Sequence, residues 1–285
     1  SSMTGESVMI DTSQPASARS RNPALKTGGT AKMTLRSDWL VHNQEETGGR
    51  VRPRMFCFPF AGGGASIYRN WGRALGSAVD LYAVQLPGRE ERIREPRYYS
   101  VKSLCDAMFE AGEDGGWFDA PCIIYGHSMG AKIAFETARR LEDQGRAPLL
   151  LIVSGSRAPS TPPARLVSTY PDRDFDNELR HLSGTPEAIL RDPDFMRLLR
   201  PLLRADFAVD ESYVTTQRLS VPMRAFSGME DSEVTAPELE KWREHTSAGF
   251  DARMLPGDHF FLKKNESLYL PILKELVEKA VEKTL

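Results

Sequence analysis

From Arg54 onward, short apolar runs alternate with longer stretches in which apolar and polar positions interleave, whereas the first fifty residues show neither period. The apolar runs at 55–59, 81–85, 122–125, 149–154, 223–227 and 250–255 have the length and side-chain types of buried strands. Residues 131–144 and 267–283 instead place apolar side chains three and four apart, the stripe of a helix that lies on a sheet. Short buried strands followed by crossover helices predict an α/β fold with a mostly parallel sheet.

One segment breaks this alternation. Between the fourth and fifth runs lie about 65 residues that open with Arg157-Ala-Pro-Ser-Thr-Pro-Pro163 and continue as helical pieces near 174–182, 186–190 and 194–207. A helical insertion at about 157–215 is therefore expected to cover a site as a lid. Residues 1–50 are rich in small polar residues and basic over most of their length, so they read as a mobile tail ahead of a domain spanning 51–285. The tail lacks the apolar block of a secretory signal.

Composition narrows the class without naming it. The chain has 285 residues, 40% hydrophobic and 27% charged, with a net charge of −2, which gives no basic excess for nucleic acid. Its three cysteines, Cys57, Cys105 and Cys122, form no CxxC pair, so neither a disulfide framework nor a zinc site is expected, and a reducing, cytoplasmic setting follows. The densest apolar stretch, 148–153, is far short of the ~18 residues of a membrane span.

The sharpest chemical signal is Gly126-His127-Ser128-Met129-Gly130, placed directly after the strand at 122–125 and before the helix at 131–144. A strand-to-helix turn this tight brings backbone close at both flanks, where only glycine fits, and leaves Ser128 exposed at the apex. A serine hydroxyl needs a base, and the base needs a carboxylate to fix its tautomer. Of the five histidines, His259 stands in the loop after the last strand, where the chain order Ser, acid, His places the base. His127 lies inside the pentad, His42 in the tail, His181 in the insertion and His245 in a polar helix at 238–246, where a solvent-facing ring is expected.

Asp231 follows the strand at 223–227 and is the expected acid, with Glu230 and Asp258 as rivals. Oxyanion donors are expected at the Met129 amide and in the turn Phe58-Pro-Phe-Ala-Gly-Gly-Gly64, at Ala61 first and Phe60 second. The run Arg89, Glu90, Glu91, Arg92, Arg94, Glu95, Arg97 reads as a solvated loop of alternating sign. Other hydrolases such as carboxylesterases share this pentad, and a non-catalytic binding module could retain the fold.

The chain resembles the type II (external) thioesterases that accompany polyketide and nonribosomal peptide synthetases. The resemblance rests on Ser37-Asp-Trp-Leu40, Phe58-Pro-Phe-Ala-Gly-Gly63, Leu86-Pro-Gly-Arg-Glu-Glu-Arg92, the pentad, Leu202-Leu-Arg-Ala-Asp206 and Pro256-Gly-Asp-His-Phe-Phe-Leu262. It covers about 37–280 and implies an α/β-hydrolase fold with a helical lid over an acyl pocket. It also implies Ser128 as nucleophile, His259 as base and Asp231 as acid, with no metal or cofactor. The substrate it implies is an acyl thioester on the phosphopantetheine arm of an acyl or peptidyl carrier protein, cleaved for editing or chain release. Phe60, Leu202, Leu203 and Phe207 would then contact the acyl group, and Arg94 and Arg97 are candidates for docking an acidic carrier protein. A monomer is the expected state.

Overall fold

The computed structural model describes residues 34–46, 48–182 and 184–284. In chain order the elements are β1 (Leu40–Val41), β2 (Arg54–Phe58), α1 (Trp71–Leu75), β3 (Asp80–Val84), α2 (Val101–Gly115), β4 (Cys122–His127), α3 (Met129–Asp143) and β5 (Leu150–Ser154). There follow α4 (Asp172–Leu182), α5 (Glu187–Leu190), α6 (Pro193–Glu211), β6 (Met223–Gly228), α7 (Ala236–Glu240), β7 (Phe250–Leu255), α8 (Phe261–Lys264) and α9 (Glu266–Glu282). Every run read as a strand is one, with small shifts at its ends.

The seven strands form one sheet in the order β1-β3-β2-β4-β5-β6-β7, parallel throughout except for β1, which pairs antiparallel with β3. Alternation along the strands divides the core in two. Phe56, Phe58, Tyr82 and Ile124 face α2 and α3, while Met55, Cys57, Leu81 and Tyr125 face α1 and α9. Coverage of both faces explains why the strands read as unbroken apolar runs rather than as alternating ones.

Two features depart from the sequence reading. The tail was expected to reach about residue 50, yet Leu35, Trp39 and Leu40 are buried and β1 is the sheet's edge strand. The remainder of that expected tail, 1–33, lies outside the described residues. Second, His245 does not face solvent. It is 1% exposed, donates from Nδ1 to the Gln217 carbonyl at 2.8 Å and meets Ser160 Oγ through Nε2 at 2.9 Å, so its ring closes the corner between the α7 segment and the start of the insertion.

The insertion holds α4, α5 and α6 and has a small core of its own, built on Val167, Phe175, Leu179, Leu190, Met196 and Leu203. α6 is capped by Asp192, whose carboxylate accepts from the amides of Asp194 and Phe195, and Pro193 sits in its first turn where no amide donor is needed. Among the described residues no helix is long and apolar enough to cross a membrane.

Candidate active site

The turn from β4 into α3 places Ser128 by exclusion. A Cβ on Gly126 would overlap the Gly130 carbonyl, and one on Gly130 would overlap the carbonyls of Phe58 and Pro59. Backbone therefore crosses backbone at this point, and Ser128 takes φ 56° and ψ −120°, a strained conformation for a residue with a side chain. It stands just before the first turn of α3, whose leading amides, Met129 first, have no partner inside the helix.

His259, in the loop between β7 and α8, reaches Ser128 Oγ with Nε2 at 3.0 Å and donates from Nδ1 to Asp231 Oδ2 at 2.8 Å. Asp231, after β6, has a fully buried side chain that also accepts from the Glu233 amide at 2.8 Å and the Ser227 hydroxyl at 3.1 Å. Burial works against its charge, but the hydrogen bonds from His259, Glu233 and Ser227 outweigh that and hold the carboxyl below its ordinary range. His259 shows the mirror image: burial disfavours its cation, and the bond and charge of Asp231 prevail and raise its pKa.

The two rival carboxylates are engaged elsewhere. Glu230 accepts from the Gly257 amide at 2.7 Å and so braces the loop after β6 against the loop after β7. Asp258 accepts from the Phe260 amide at 2.8 Å and pairs with Lys264.

Above Ser128 and His259 opens a cleft whose walls include Phe60, Ala61, Met129, Leu203 and Phe207. The Phe60 and Ala61 amides donate to no protein group among the described residues, and both residues stand on the cleft wall with Ser128. Leu202, expected here, is buried but does not line the cleft; one residue along α6 turns a side chain by about 100°, and it is Leu203 that faces the site. Lys132 of α3 and Asp210 of α6, paired at 3.2 Å, add a charged wall that sequence reading did not anticipate.

Sequence reading also missed the support beneath the histidine. His127 is wholly buried, and its ring bridges Ser154 Oγ at 2.8 Å and the backbone carbonyl of His259 at 2.8 Å. The carbonyl can only accept, so Nε2 carries the proton and Nδ1 accepts from Ser154. Burial drives its pKa down to about 3, so the ring is neutral and serves as a strut. Its place inside the pentad gave no sign of this, because its partners come from β5 and from the loop after β7.

The charged run at 89–97 is likewise not a uniformly solvated loop. Arg89 and Arg92 are buried, the first against Asp206 and the second against Glu95 and the Trp39 ring, while Arg94 remains exposed.

Comparison with known proteins shows the family. Residues 53–280 match the family described as the thioesterase domain. The gramicidin S biosynthesis protein GrsT of Aneurinibacillus migulanus is 39% identical over 232 residues, which span 80% of this chain and 89% of that protein. Thioesterase PikA5 of Streptomyces venezuelae is 42% identical over 212 residues, 73% of this chain and 75% of its own. The solved structure of the type II thioesterase BorB from the borrelidin biosynthetic cluster aligns with a TM-score of 0.75 at 32% identity, covering 86% of this chain and all of that one (100%). On the match across its α/β core and on these relatives, the chain belongs to the thioesterase domain family, in the company of its type II members.

Proposed function

We propose that the chain is a serine thioesterase that frees acyl groups from the phosphopantetheine arm of an acyl or peptidyl carrier protein. The observation that carries this reading is the unbroken relay from Asp231 through His259 to Ser128 at the floor of a partly apolar cleft. His259 Nε2 takes the proton of Ser128 as Oγ forms a bond to the thioester carbonyl carbon, and the carbonyl oxygen becomes an oxyanion facing the Met129 and Ala61 amides. The C–S bond then breaks, and the carrier thiol leaves with the proton that His259 held. Water, activated by the same ring, cleaves the acyl-enzyme and releases a carboxylic acid. A thiolate is a good leaving group, so this relay suffices.

The insertion acts as the lid of the acyl site, with Leu203, Phe207 and Phe60 against the chain of the substrate. The biological role that fits is editing of stalled or aberrant acyl groups, or release of a finished chain, in polyketide, nonribosomal peptide or fatty acid synthesis. The test is hydrolysis of acyl thioesters, on a phosphopantetheinylated carrier protein and on small thiols, by the wild type and S128A. Turnover that prefers carrier-bound substrate and is lost in S128A, with the fold intact, is expected. Turnover of simple oxyesters alone would overturn the reading in favour of an esterase, and carrier binding without any turnover in favour of a docking module.

A further inference from the structure

The turn that presents Phe60 and Ala61 is gripped from behind by the insertion. Gly62, the next residue, takes φ +78°, and its N–H donates to Asp206 Oδ2 of α6 at 2.7 Å. A Cβ at Gly62 would lie 2.6 Å from a Leu203 methyl, so α6 rests directly on this peptide. The same Asp206 carboxylate receives Arg89 in a two-pronged pair, with Nη2 to Oδ1 at 2.9 Å and Nη1 to Oδ2. Arg89 in turn donates to the Gly63 carbonyl at 3.3 Å and the Pro87 carbonyl at 3.1 Å. Both side chains are buried, 4% and 3% exposed.

These contacts hold the Ala61–Gly62 peptide by its N–H and the Gly63–Gly64 peptide by its carbonyl, both on the C-terminal side of Ala61. The Gly63 amide closes the turn onto the Phe60 carbonyl at 2.9 Å, and Gln85 Oε1 holds the Ala65 amide at 2.6 Å from the other side. Among the described residues the hydrogen bond from the insertion to this turn is that of Asp206, which sits one turn along α6 from Leu203 and Asp210, both facing the cleft. The helix that walls the cleft and the turn that carries Ala61 thus share one carboxylate.

We propose that Asp206, with Arg89, is a positioning residue for the oxyanion site, and that it makes donor alignment depend on closure of α6. The proposal rests on the thioesterase reading above. A buried ion pair that only fastened the insertion to the core would weaken substrate and transition-state binding alike. A pair that aims the amide affects only the state in which an oxyanion exists.

The experiment separates the two with a pair of probes on wild type, D206N and S128A. An alkyl trifluoromethyl ketone adds to Ser128 and leaves an oxyanion in the donor site, whereas an alkyl thioether of equal chain length fills the cleft with no carbonyl. For D206N, which misaims a donor without removing it, ketone affinity is expected to fall at least thirtyfold and kcat with it, somewhat less than the about 10²–10³ seen for outright loss of one oxyanion donor. Thioether affinity and KM stay within about twofold. Equal losses for both probes, or no loss for either, would overturn the proposal. A wild type that neither hydrolyses thioesters nor forms the ketone adduct would instead fail the thioesterase reading itself. Should D206N not fold, R89K carries the test, since it keeps the charge but loses the two-pronged grip, and the same split at smaller amplitude is expected.

Discussion

At His259 two effects oppose each other. Burial disfavours the imidazolium, the Asp231 carboxylate 2.8 Å away favours it, and the second wins. The base is active only when neutral, so kcat/KM for a thioester should rise with pH through an inflection above the ordinary histidine value of about 6.5. In D231N the main raising influence is gone and burial is opposed only by the lesser pull of Glu233 and Asp210, so the inflection should move to lower pH while kcat falls by about 10³–10⁴. The comparison variant is E230Q, which should leave the inflection in place because Glu230 binds the Gly257 amide rather than His259. A pH profile that shifts in E230Q and not in D231N would exchange the roles of the two carboxylates. Residues that act by touching the serine were legible in the chain because strand-turn-helix context and chain order specify them. His127 and Asp206 were not: their partners lie 132 and 144 positions away, and no local period records such a contact.

Among the elements, the apolar runs announced six strands because both faces of the sheet are covered. The seventh, β1, stayed hidden since two residues pairing antiparallel at an edge leave no pattern to read. Beside the β1 pairing and the burial of Leu35, Trp39 and Leu40, one polar side chain ties the following segment to the core. Gln44 Nε2 lies within 3.0–3.1 Å of the carbonyls of Gly72, Gly76 and Val79, and its Oε1 accepts from the Leu81 amide at 2.7 Å. Its two N–H donors are shared among these carbonyls at the end of α1 while its oxygen serves the entry to β3, which is work that no composition statistic over residues 1–50 reveals. Q44A leaves these groups half-buried and unpaired, so it should cost about 2 kcal/mol and lower Tm by roughly 4–8 °C. Its kcat and KM should stay at wild-type values, since the α1 corner lies away from the cleft. Thermal melting and steady-state kinetics on the same preparation check both halves, and an unchanged Tm would return this segment to the status of a loose tail.

Over the whole molecule, the two cores that sandwich the sheet and the small core of the insertion are separate clusters, and separate clusters open separately. The sheet strands carry their hydrogen bonds between neighbours buried on both faces. α4 and α5 rest on few apolar side chains, with α4 burying only Phe175 and Leu179 and α5 only Leu190. Amide exchange is therefore expected to be faster across 172–190 than in β4 and β5, with α6 between the two because its Asp206 and Asp210 tie it to the Gly62 turn and to α3. Filling the cleft with a long-chain trifluoromethyl ketone adds apolar contact to Leu179, Leu203 and Phe207, all on the insertion side. Protection should then rise in α4 and α6 and remain unchanged in the sheet, and the rise in α6 should shrink in D206N, where seating the helix no longer engages the Gly62 amide through a charged carboxylate. Uniform protection of sheet and insertion by the ketone would mean that the two open as one unit, and α6 would then have no separate motion to couple to the oxyanion turn.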